Sequence, residues 1–582
     1  MQEIFGKNGA ETPEPLRATV SGCVPDWLQG TLLRNGPGMF TLGGTTYNHW
    51  FDGMALLHSF TFKDGEVYYR SKFLQSDTYK KNMAANRIIV SEFGTMIYPD
   101  PCKNIFSRVF SHLSNAISDF TDNNLINIIQ YGKDYYTSSE VNYINQIDPE
   151  SLQTIGRVNY RNHIALNLAT AHPHYDKEGN TYNMGTSIVN LRGPNYVIFK
   201  VPAHASGEAG RNVALKNIQE VCSIPCRSKY YPSYFHSFGL TENFIIFVEQ
   251  PFKLDILKLA TAYFRGVTWG RCLRFDKEDI TLIHLIDRRK GKAVSTKFYT
   301  DALVMFHHVN AYEEEQHVVF DIITYKDSKL YDMFYLHNIT EDNHFIQTNK
   351  TSSRPACQRF ILPLNIDKDL SGTNLVKLEG SRASAVQQED GSVYCTPDTL
   401  CEGVELPRIN YKFNGKKYRY FYSLKVKWSP CPNKIGKVDV VTRQGLEWTE
   451  EDYYPSEPVF VAAPDAKEED DGELWGGLTR HTSYAYSHSY QQRVLRTADS
   501  KLYAKAAMRT YLRRSKSISL LRAERPRNFF SGVILSSVIS QNPEKPPFLL
   551  ILDAKNLKEI ARATISGSVH MDLHGIFIPK KD

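Results

Sequence analysis

Short apolar runs, each bounded by turn residues, recur along almost the whole chain of 582 residues. Runs of this length that are rich in Val, Ile, Phe and Tyr are typical of β-strands. Clear examples are YVIFKV (196–201), FIIFVEQ (244–250), HVVFDIITY (317–325) and FLLILDAKNLKEIARATI (548–565), the last with an Asp-Ala-Lys-Asn turn between two strands. This pattern predicts an all-β protein with many short antiparallel strands, such as a propeller, sandwich or barrel.

Two stretches carry apolar residues at helical spacing with basic residues between them, IFSRVFSHLSNAISDF (105–120) and KLDILKLATAYFRG (253–266). Such helices either contact a membrane or lipid droplet peripherally or pack inward. The sequence contains no run of 18 apolar residues, so we predict no membrane-spanning helix. The first residues lack a secretory signal pattern, and the nine cysteines form no CxxC pair. We therefore expect a cytoplasmic protein.

Residues 473–531 differ from their surroundings, because they are rich in Ser, Arg and Tyr and show no strand alternation. They contain 12 Lys and Arg against 3 Asp and Glu, so the remainder of the chain has a net charge of −3 although the whole has +6. We predict one domain over 1–582, interrupted by a basic, exposed insertion at about 473–531. A separate functional module and an error in the coding sequence are the alternatives. Since the basicity is confined to this segment, no nucleic-acid partner is expected.

Four of the 18 histidines lie in or at the end of apolar runs, where an imidazole is partly dehydrated. They are His172 in ATAHPHYD, His236 in PSYFHSFG, His307 in MFHHVNAYE and His574 in MDLHGIFIP. One such histidine is usually satisfied by a single hydrogen bond, but four together favour a metal site. Their separations of 64, 71 and 267 residues, the last about 207 without the insertion, indicate a repeated β unit of about 70 residues.

Three glutamates also lie in apolar or constrained contexts: Glu140 in YTSSEVNYI, Glu405 in GVELPRINY and Glu457 in YYPSEPVFV. Each alone would more often be an exposed strand residue or half of a local ion pair. If imidazoles bind a metal, however, their outward-facing N–H groups need acceptors, and carboxylates are preferred. The three glutamates are therefore candidates for that role.

Eight motifs together resemble the carotenoid cleavage oxygenases, over essentially the whole chain except 473–531. They are RNGPGMF (34–40), NHWFDGMALLHSF (48–60), SEFGTMIYPDPCKNIFSR (91–108), ATAHPHYD (169–176), YFHSFG (234–239), FHHVNAYE (306–313), PSEPVFV (455–461) and LHGIFIP (573–579). Four further stretches are most similar to the members that cleave the central double bond: FTDNNLINII (120–129), DILKLATAYFRG (255–266), TKFYTDALVMFHH (296–308) and HMDLHG (570–575).

The resemblance implies a seven-bladed β-propeller with Fe²⁺ on its axis and a helical cap over a substrate tunnel. It implies four metal ligands: His172, His236, His307 and His574. In FHHVN the family ligand matches the first histidine, so His308 is not implied as a ligand.

The same resemblance implies that Glu140, Glu405 and Glu457 orient three of those imidazoles. It also implies that Tyr234 and Tyr325 are catalytic residues near the bound polyene, where their ring faces stabilise cationic character. Ordinary aromatic packing is the alternative for the two tyrosines. The run SSEVN around Glu140 and the insertion depart from the family pattern.

The implied activity is cleavage of β-carotene with O₂ at the central 15,15' double bond to give retinal, with other provitamin A carotenoids or apocarotenals as further substrates. Eccentric 9',10' cleavage and retinyl-ester isomerohydrolase activity use the same ligand set, so the metal site does not distinguish them. A carotenoid-binding protein inactivated by its insertion is another alternative.

Overall fold

The computed structural model describes residues 2–97, 120–188, 193–203, 213–340, 352–366, 370–428, 431–464, 466, 468–470 and 532–580. The helix predicted at 105–120, apart from its last residue, and the insertion predicted at 473–531 lie outside the described residues.

The described α-helices are short and are α1 (Gln2–Phe5), α2 (Asp77–Ala85), α3 (Val213–Lys216), α4 (Ile256–Arg265), α5 (Lys329–Met333) and α6 (Leu336–Thr340). The described 3₁₀-helices are Trp50–Asp52, Tyr160–Asn162, Gly270–Cys272 and Tyr411–Phe413. Helix α4 lies within the stretch predicted at 253–266. None of the described helices combines the length and apolar character that a bilayer crossing requires.

Strands form the bulk of the structure. The first are β1 (Thr12–Arg17), β2 (Thr19–Gly22), β3 (Gly30–Met39), β4 (Thr41–Leu42), β5 (Thr45–Thr46), β6 (Met54–Lys63), β7 (Glu66–Phe73), β8 (Asn127–Tyr131), β9 (Asp134–Ser138), β10 (Tyr143–Ile147), β11 (Thr154–Asn159), β12 (Leu168–Ala169) and β13 (His174–Tyr175). Next are β14 (Thr181–Ser187), β15 (Asn195–Val201), β16 (Gln219–Pro225), β17 (Gly239–Leu240), β18 (Phe244–Glu249), β19 (Phe252–Leu254), β20 (Leu273–Phe275), β21 (Thr281–Asp287), β22 (Lys292–Ala293), β23 (Phe298–Thr300), β24 (Val304–Glu314), β25 (His317–Tyr325) and β26 (Ala356–Pro363). The last are β27 (Ser384–Gln387), β28 (Val393–Thr396), β29 (Asp398–Glu402), β30 (Val404–Arg408), β31 (Tyr420–Trp428), β32 (Cys431–Asp439), β33 (Gly445–Trp448), β34 (Tyr453–Pro455), β35 (Val459–Val461), β36 (Val533–Ser540), β37 (Phe548–Asp553), β38 (Glu559–Thr564) and β39 (His574–Pro579).

The strands predicted from the sequence are confirmed as β15, β18, β25 and the pair β37–β38. All nine residues of β25 are buried, and so are the first five of β37. Strands covered on both faces read as continuous apolar runs in the sequence. In β7, by contrast, buried and half-buried residues alternate, as expected for a strand with one core-facing side.

Seven sheets of four or more strands and two of two strands occur in the described part of the chain. We number the larger ones by the order in which the chain completes them. Sheet 1 is β8–β11, sheet 2 is β12–β16, sheet 3 is β17, β18, β21–β23, β27 and β28, sheet 4 is β24–β26 and β29, sheet 5 is β30–β33, sheet 6 is β2 and β34–β38, and sheet 7 is β1, β3, β6, β7 and β39. The architecture is that of an all-β propeller.

The two ends of the chain are joined by strand pairing. Strand β39 pairs antiparallel with β3, from Gly30 opposite Pro579 to Asn35 opposite His574. Strand β2 pairs in the same way with β38. The N-terminal strands therefore complete the last two sheets, which fixes the position of His574 at the start of β39.

A buried ion network lies at this junction. Arg34 of β3 is 0% exposed, donating from Nε to Asp572 Oδ1 at 2.8 Å and from Nη1 to Glu457 Oε2 at 3.1 Å. Burial opposes the charge of Arg34, but the two carboxylates outweigh it and raise its pKa. Because a buried charge without its partners is costly, this network holds the strand that carries His574 against sheet 6.

Replacing Arg34 with Met should lower the free energy of unfolding by about 3–5 kcal/mol, because the buried Asp572 loses its cation and Glu457 keeps only the more distant Arg408. Urea titration measures the change. The matched control is Arg562→Met at a partly exposed pair with Glu450, where a loss of at most about 1 kcal/mol is expected. Equal losses in both variants would contradict a special role for the buried network.

Candidate metal centre

The four histidines predicted as ligands come from four different sheets and converge. His172 lies between β12 and β13, His236 precedes β17, His307 lies in β24 and His574 begins β39. One nitrogen from each lies within 4.8 Å of the others. The Nε2 of His236 lies 2.9 Å from that of His172 and 3.2 Å from that of His307.

A backbone irregularity aims His307, and hydrogen bonds of Ser237 connect that strand to the loop of His236. The register of β24 against β25 shifts between Met305 and His308, on either side of His307. Such a bulge re-aims a side chain at the end of a sheet. Ser237 Oγ then accepts from His308 N at 2.9 Å and donates to Phe306 O at 2.6 Å, which ties the His236 loop to β24.

The three predicted glutamates bind the outward-facing nitrogens of three imidazoles. His236 Nδ1 donates to Glu140 Oε1 at 2.5 Å, His307 Nδ1 to Glu405 Oε2 at 2.7 Å and His574 Nδ1 to Glu457 Oε1 at 2.7 Å. Each of these hydrogen bonds fixes the imidazole proton on Nδ1, so that Nε2 carries a free lone pair that can bind a metal.

This arrangement provides a direct test of whether the residues fit a metal. The Nε2 atoms of His236 and His307 are 3.2 Å apart, and both are acceptors because each ring donates through Nδ1. Two lone pairs at that distance repel unless a cation lies between them. Converging neutral imidazoles suit first-row transition metals such as iron, copper, nickel and zinc. The donor set therefore fits a divalent transition metal.

The surroundings favour the neutral form of His172 and His574 and the charged form of Glu405 and Glu457. Burial lowers the pKa of His574 to about 4, and burial together with the neighbouring histidines lowers that of His172 well below its usual value. Burial opposes ionisation of Glu457, but Arg408, His574 and Arg34 lower its pKa to about 2. His307 and Tyr325 likewise outweigh burial and lower the pKa of Glu405.

Each of the two predicted tyrosines donates a hydrogen bond to one of the predicted glutamates. Tyr234 OH donates to Glu140 at 2.8 Å and lies 3.0 Å from His236 Nδ1, and Tyr325 OH donates to Glu405 at 2.6 Å. Both tyrosines also line the cavity described below. The structure thus places both tyrosines beside the predicted ligands, on the same cavity wall as Glu140 and Glu405.

Sequence reasoning missed three contributors. Tyr331 of α5 donates from its OH to Tyr234 OH at 2.6 Å. Arg408 donates to Gly575 O at 2.8 Å and lies 3.7 Å from Glu457, which Arg34 also binds. Two local signals were available, because Arg34 interrupts an apolar strand and Arg408 follows Glu405 by three residues. Tyr331 offers no such signal, since its partner is 97 residues away.

The seven predicted histidines and glutamates are distributed over the seven larger sheets, one to each. Sheets 2, 3, 4 and 7 supply His172, His236, His307 and His574, and sheets 1, 5 and 6 supply Glu140, Glu405 and Glu457. Each imidazole and the carboxylate that orients it therefore come from different sheets. The centre depends on the packing of sheet against sheet and not on any single element.

A cavity opens onto this centre. His236, His307 and His574 form part of its wall, and most of the remainder is apolar or aromatic, including Phe51, Phe93 and Phe306. Helix α4 contributes Leu259. An apolar cavity with a polar cluster of histidines in its wall is suited to an apolar substrate.

Comparison with known proteins agrees with this geometry. The chain matches the family described as Retinal pigment epithelial membrane protein over residues 5–509 and 530–579. The chain belongs to this family, which is the carotenoid oxygenase family that its motifs resemble. The gap in the match, 510–529, falls within the range predicted as an insertion.

Two curated relatives and one solved structure are informative. A β,β-carotene 15,15'-dioxygenase from Gallus gallus is 54% identical over 100% of this chain and 99% of its own length. A mitochondrial carotenoid-cleaving dioxygenase from Pongo abelii is 38% identical over 98% of this chain and 93% of its own length. A mutant apocarotenoid oxygenase from Synechocystis shares the fold, with a TM-score of 0.69 at 19% identity over 100% of this chain and 98% of that one.

Replacing Glu405 with Gln should weaken Co²⁺ binding about 10–100-fold, because the carboxylate that orients His307 is lost. Competition against a chelator measures the affinity. Glu249→Gln is the matched control, since Glu249 is also buried and accepts from His284 Nε2 at 2.8 Å outside the cluster. The two variants having equal Co²⁺ affinities would rule out an orienting role for Glu405.

Proposed function

We propose that this protein is an iron-dependent dioxygenase that cleaves β-carotene with O₂ at the central 15,15' double bond to give two molecules of retinal. The observation that carries the proposal is the convergence of four imidazoles beside an apolar, aromatic-lined cavity, with an unprotonated Nε2 on the three that donate through Nδ1. The higher identity to the 15,15'-dioxygenase, 54% against 38%, supports central cleavage.

In this proposal His172, His236, His307 and His574 hold Fe²⁺, and Glu140, Glu405 and Glu457 orient three of them. When bound, ferrous iron supplies the electrons and open coordination positions that O₂ needs to react with an alkene. One O₂ adds one oxygen atom to each carbon of the broken bond, so one β-carotene and one O₂ give two retinal molecules without a further reductant.

The chain's own residues position the substrate and exclude water. The apolar wall holds an extended polyene so that its central bond lies at the histidines. Tyr234 and Tyr325 present aromatic rings beside that bond, where their negative faces stabilise developing positive charge. Their hydroxyl groups are held by Glu140 and Glu405, which fixes the ring positions.

The sheet topology supports a finer architecture, in which sheets 1 to 7 are the seven blades of the propeller. Helices α2, α4, α5 and α6 then form the cap over the cavity. Three of the cavity-lining residues support the cap: Leu259 of α4, and Leu330 and Tyr331 of α5. The whole chain is one domain interrupted by a basic insertion at about 473–531, in this reading.

A cytosolic location with peripheral contact to a membrane or lipid droplet completes the proposal. The substrate dissolves in lipid, so the cavity needs access to it. Leu257 of α4 and the adjacent Tyr230 are 55% and 51% exposed, while Leu259 and Ala262 of the same helix face inward. Two exposed apolar side chains beside the cavity are suited to shallow insertion into lipid.

Replacing His307 with Ala should lower bound iron and β-carotene turnover by at least about tenfold, because changes to the carboxylates around a metal ligand already cost that much. Iron content after reconstitution and retinal formation measure both effects. The matched control is His308→Ala, which removes the neighbouring imidazole outside the cluster. Loss of iron in His308→Ala with retention in His307→Ala would contradict the ligand assignment.

Aerobic incubation of the iron-loaded protein with β-carotene should give retinal alone, at two molecules for each β-carotene consumed, as measured by chromatography. An apo-10'-carotenal would show eccentric cleavage, and activity only on retinyl esters would show an isomerohydrolase. A version lacking residues 473–531 is tested in parallel. Turnover by that version and none by the full chain would identify the full chain as an inactive carotenoid-binding protein.

A further inference from the structure

Most polar groups on the described cavity wall are already satisfied by the protein. Asn123 Oδ1 accepts from Ala55 N at 2.9 Å and its Nδ2 donates to Gly53 O at 2.9 Å. Thr170 Oγ1 accepts from His172 N at 2.9 Å. Such groups have little capacity left for a ligand, and they leave the wall effectively apolar.

Glu92 is different. It lies on the cavity wall, and only 3% of it is exposed. Its Oε1 accepts from Thr121 Oγ1 at 2.5 Å. Among the residues that the structure describes, no other donor reaches its side chain and no cation pairs with it. A carboxyl group buried in this way without a cation is costly as an anion.

The two acidic neighbours of Glu92, Asp52 and Asp122, disfavour a negative charge on its carboxyl group. Asp52 accepts from Gly94 N at 2.8 Å and from Thr95 Oγ1 at 2.6 Å, and burial raises its pKa to about 7. Burial, Asp52 and Asp122 raise the pKa of Glu92 well above its usual value. Burial without a described cation, next to two acidic side chains, therefore favours the protonated form of Glu92, whose O–H can donate a hydrogen bond.

The position of Glu92 separates it from the bond that reacts. The ring of the next residue, Phe93, lies 5.2 Å from the ring of Tyr331, whose OH binds Tyr234 OH at 2.6 Å. Tyr234 in turn lies at His236. Three aromatic residues, Phe93, Tyr331 and Tyr234, thus connect the residue next to Glu92 with His236, so that Glu92 faces the flank or end of a bound carotenoid.

We propose that Glu92 is a specificity-determining residue, whose carboxylic acid O–H donates a hydrogen bond to a carbonyl or hydroxyl oxygen on the end group of an oxygenated carotenoid. This inference rests on the proposed function, because it assumes a carotenoid in the cavity. A hydrocarbon such as β-carotene offers no acceptor to this group, whereas the aldehyde of an apocarotenal and the ring hydroxyl of a hydroxylated carotenoid both do.

Binding of three probes to two variants tests the proposal without requiring turnover. The probes are β-carotene, β-apo-8'-carotenal and β-cryptoxanthin, and the variants are Glu92→Leu and Glu92→Gln. Quenching of tryptophan fluorescence gives each dissociation constant. Glu92→Leu should weaken binding of the oxygenated probe about tenfold, with β-carotene unchanged, because one neutral hydrogen bond is lost. Glu92→Gln retains an N–H donor and should bind close to the wild-type protein.

The two oxygenated probes distinguish the two sources of the acceptor. A loss confined to the aldehyde assigns Glu92 to carbonyl oxygens, and a loss confined to β-cryptoxanthin assigns it to hydroxyl oxygens. Equal losses for all three probes, or no loss for any, would overturn the proposal. Failure of the wild-type chain to cleave β-carotene would refute the proposed function while leaving this binding comparison readable.

A measurement on the wild-type chain covers the case in which Glu92→Leu does not fold. Resonance Raman spectra of bound β-apo-8'-carotenal report the C=O stretch, which moves to lower frequency on hydrogen bonding. The proposal expects that shift in the wild-type protein and a smaller one in Glu92→Gln, whose N–H is the weaker donor. A frequency equal to that in an apolar solvent would rule out the hydrogen bond for carbonyl ligands. For hydroxyl ligands the second variant is Glu92→Met, which has no donor, and unchanged β-cryptoxanthin binding to it would rule out the hydrogen bond.

Discussion

The repulsion between imidazole lone pairs that face one another is the constraint on which the rest of the structure depends. Each Nδ1 of His236, His307 and His574 is committed to a glutamate, so each Nε2 turns toward the common centre. Such an arrangement is stable only when its supports are rigid and a cation occupies the middle. Carboxylates, tyrosines and arginines around the histidines provide that rigidity.

The fold provides it by dividing the seven groups among seven sheets. The relative positions of the sheets then set the distances between the four imidazoles. The pairing of β3 with β39 sets the position of His574, the last of the four along the chain. The buried Arg34 network connects this junction to Glu457 and therefore to His574. The stability of the β3–β39 junction and the geometry of the histidine cluster therefore depend on the same contacts of Arg34.

Strand positions could be predicted from the sequence, because a run such as 317–325 is buried on both faces and its pattern is local. The histidines and glutamates could be found for a related reason, since polar residues in apolar runs stand out. Their pairing could not, because Glu140 and His236 are 96 residues apart and meet only through sheet packing. Tyr331 was missed because its short helix has no distinctive sequence pattern. The helix predicted at 105–120 stays a prediction.

The most direct measurement is anomalous X-ray diffraction at the iron absorption edge from crystals of the iron-loaded chain. The account predicts a single strong peak within bonding distance of the Nε2 atoms of His172, His236, His307 and His574, with no carboxylate oxygen bound. A peak elsewhere, or one coordinated by Glu140, Glu405 or Glu457 in place of a histidine, would contradict it.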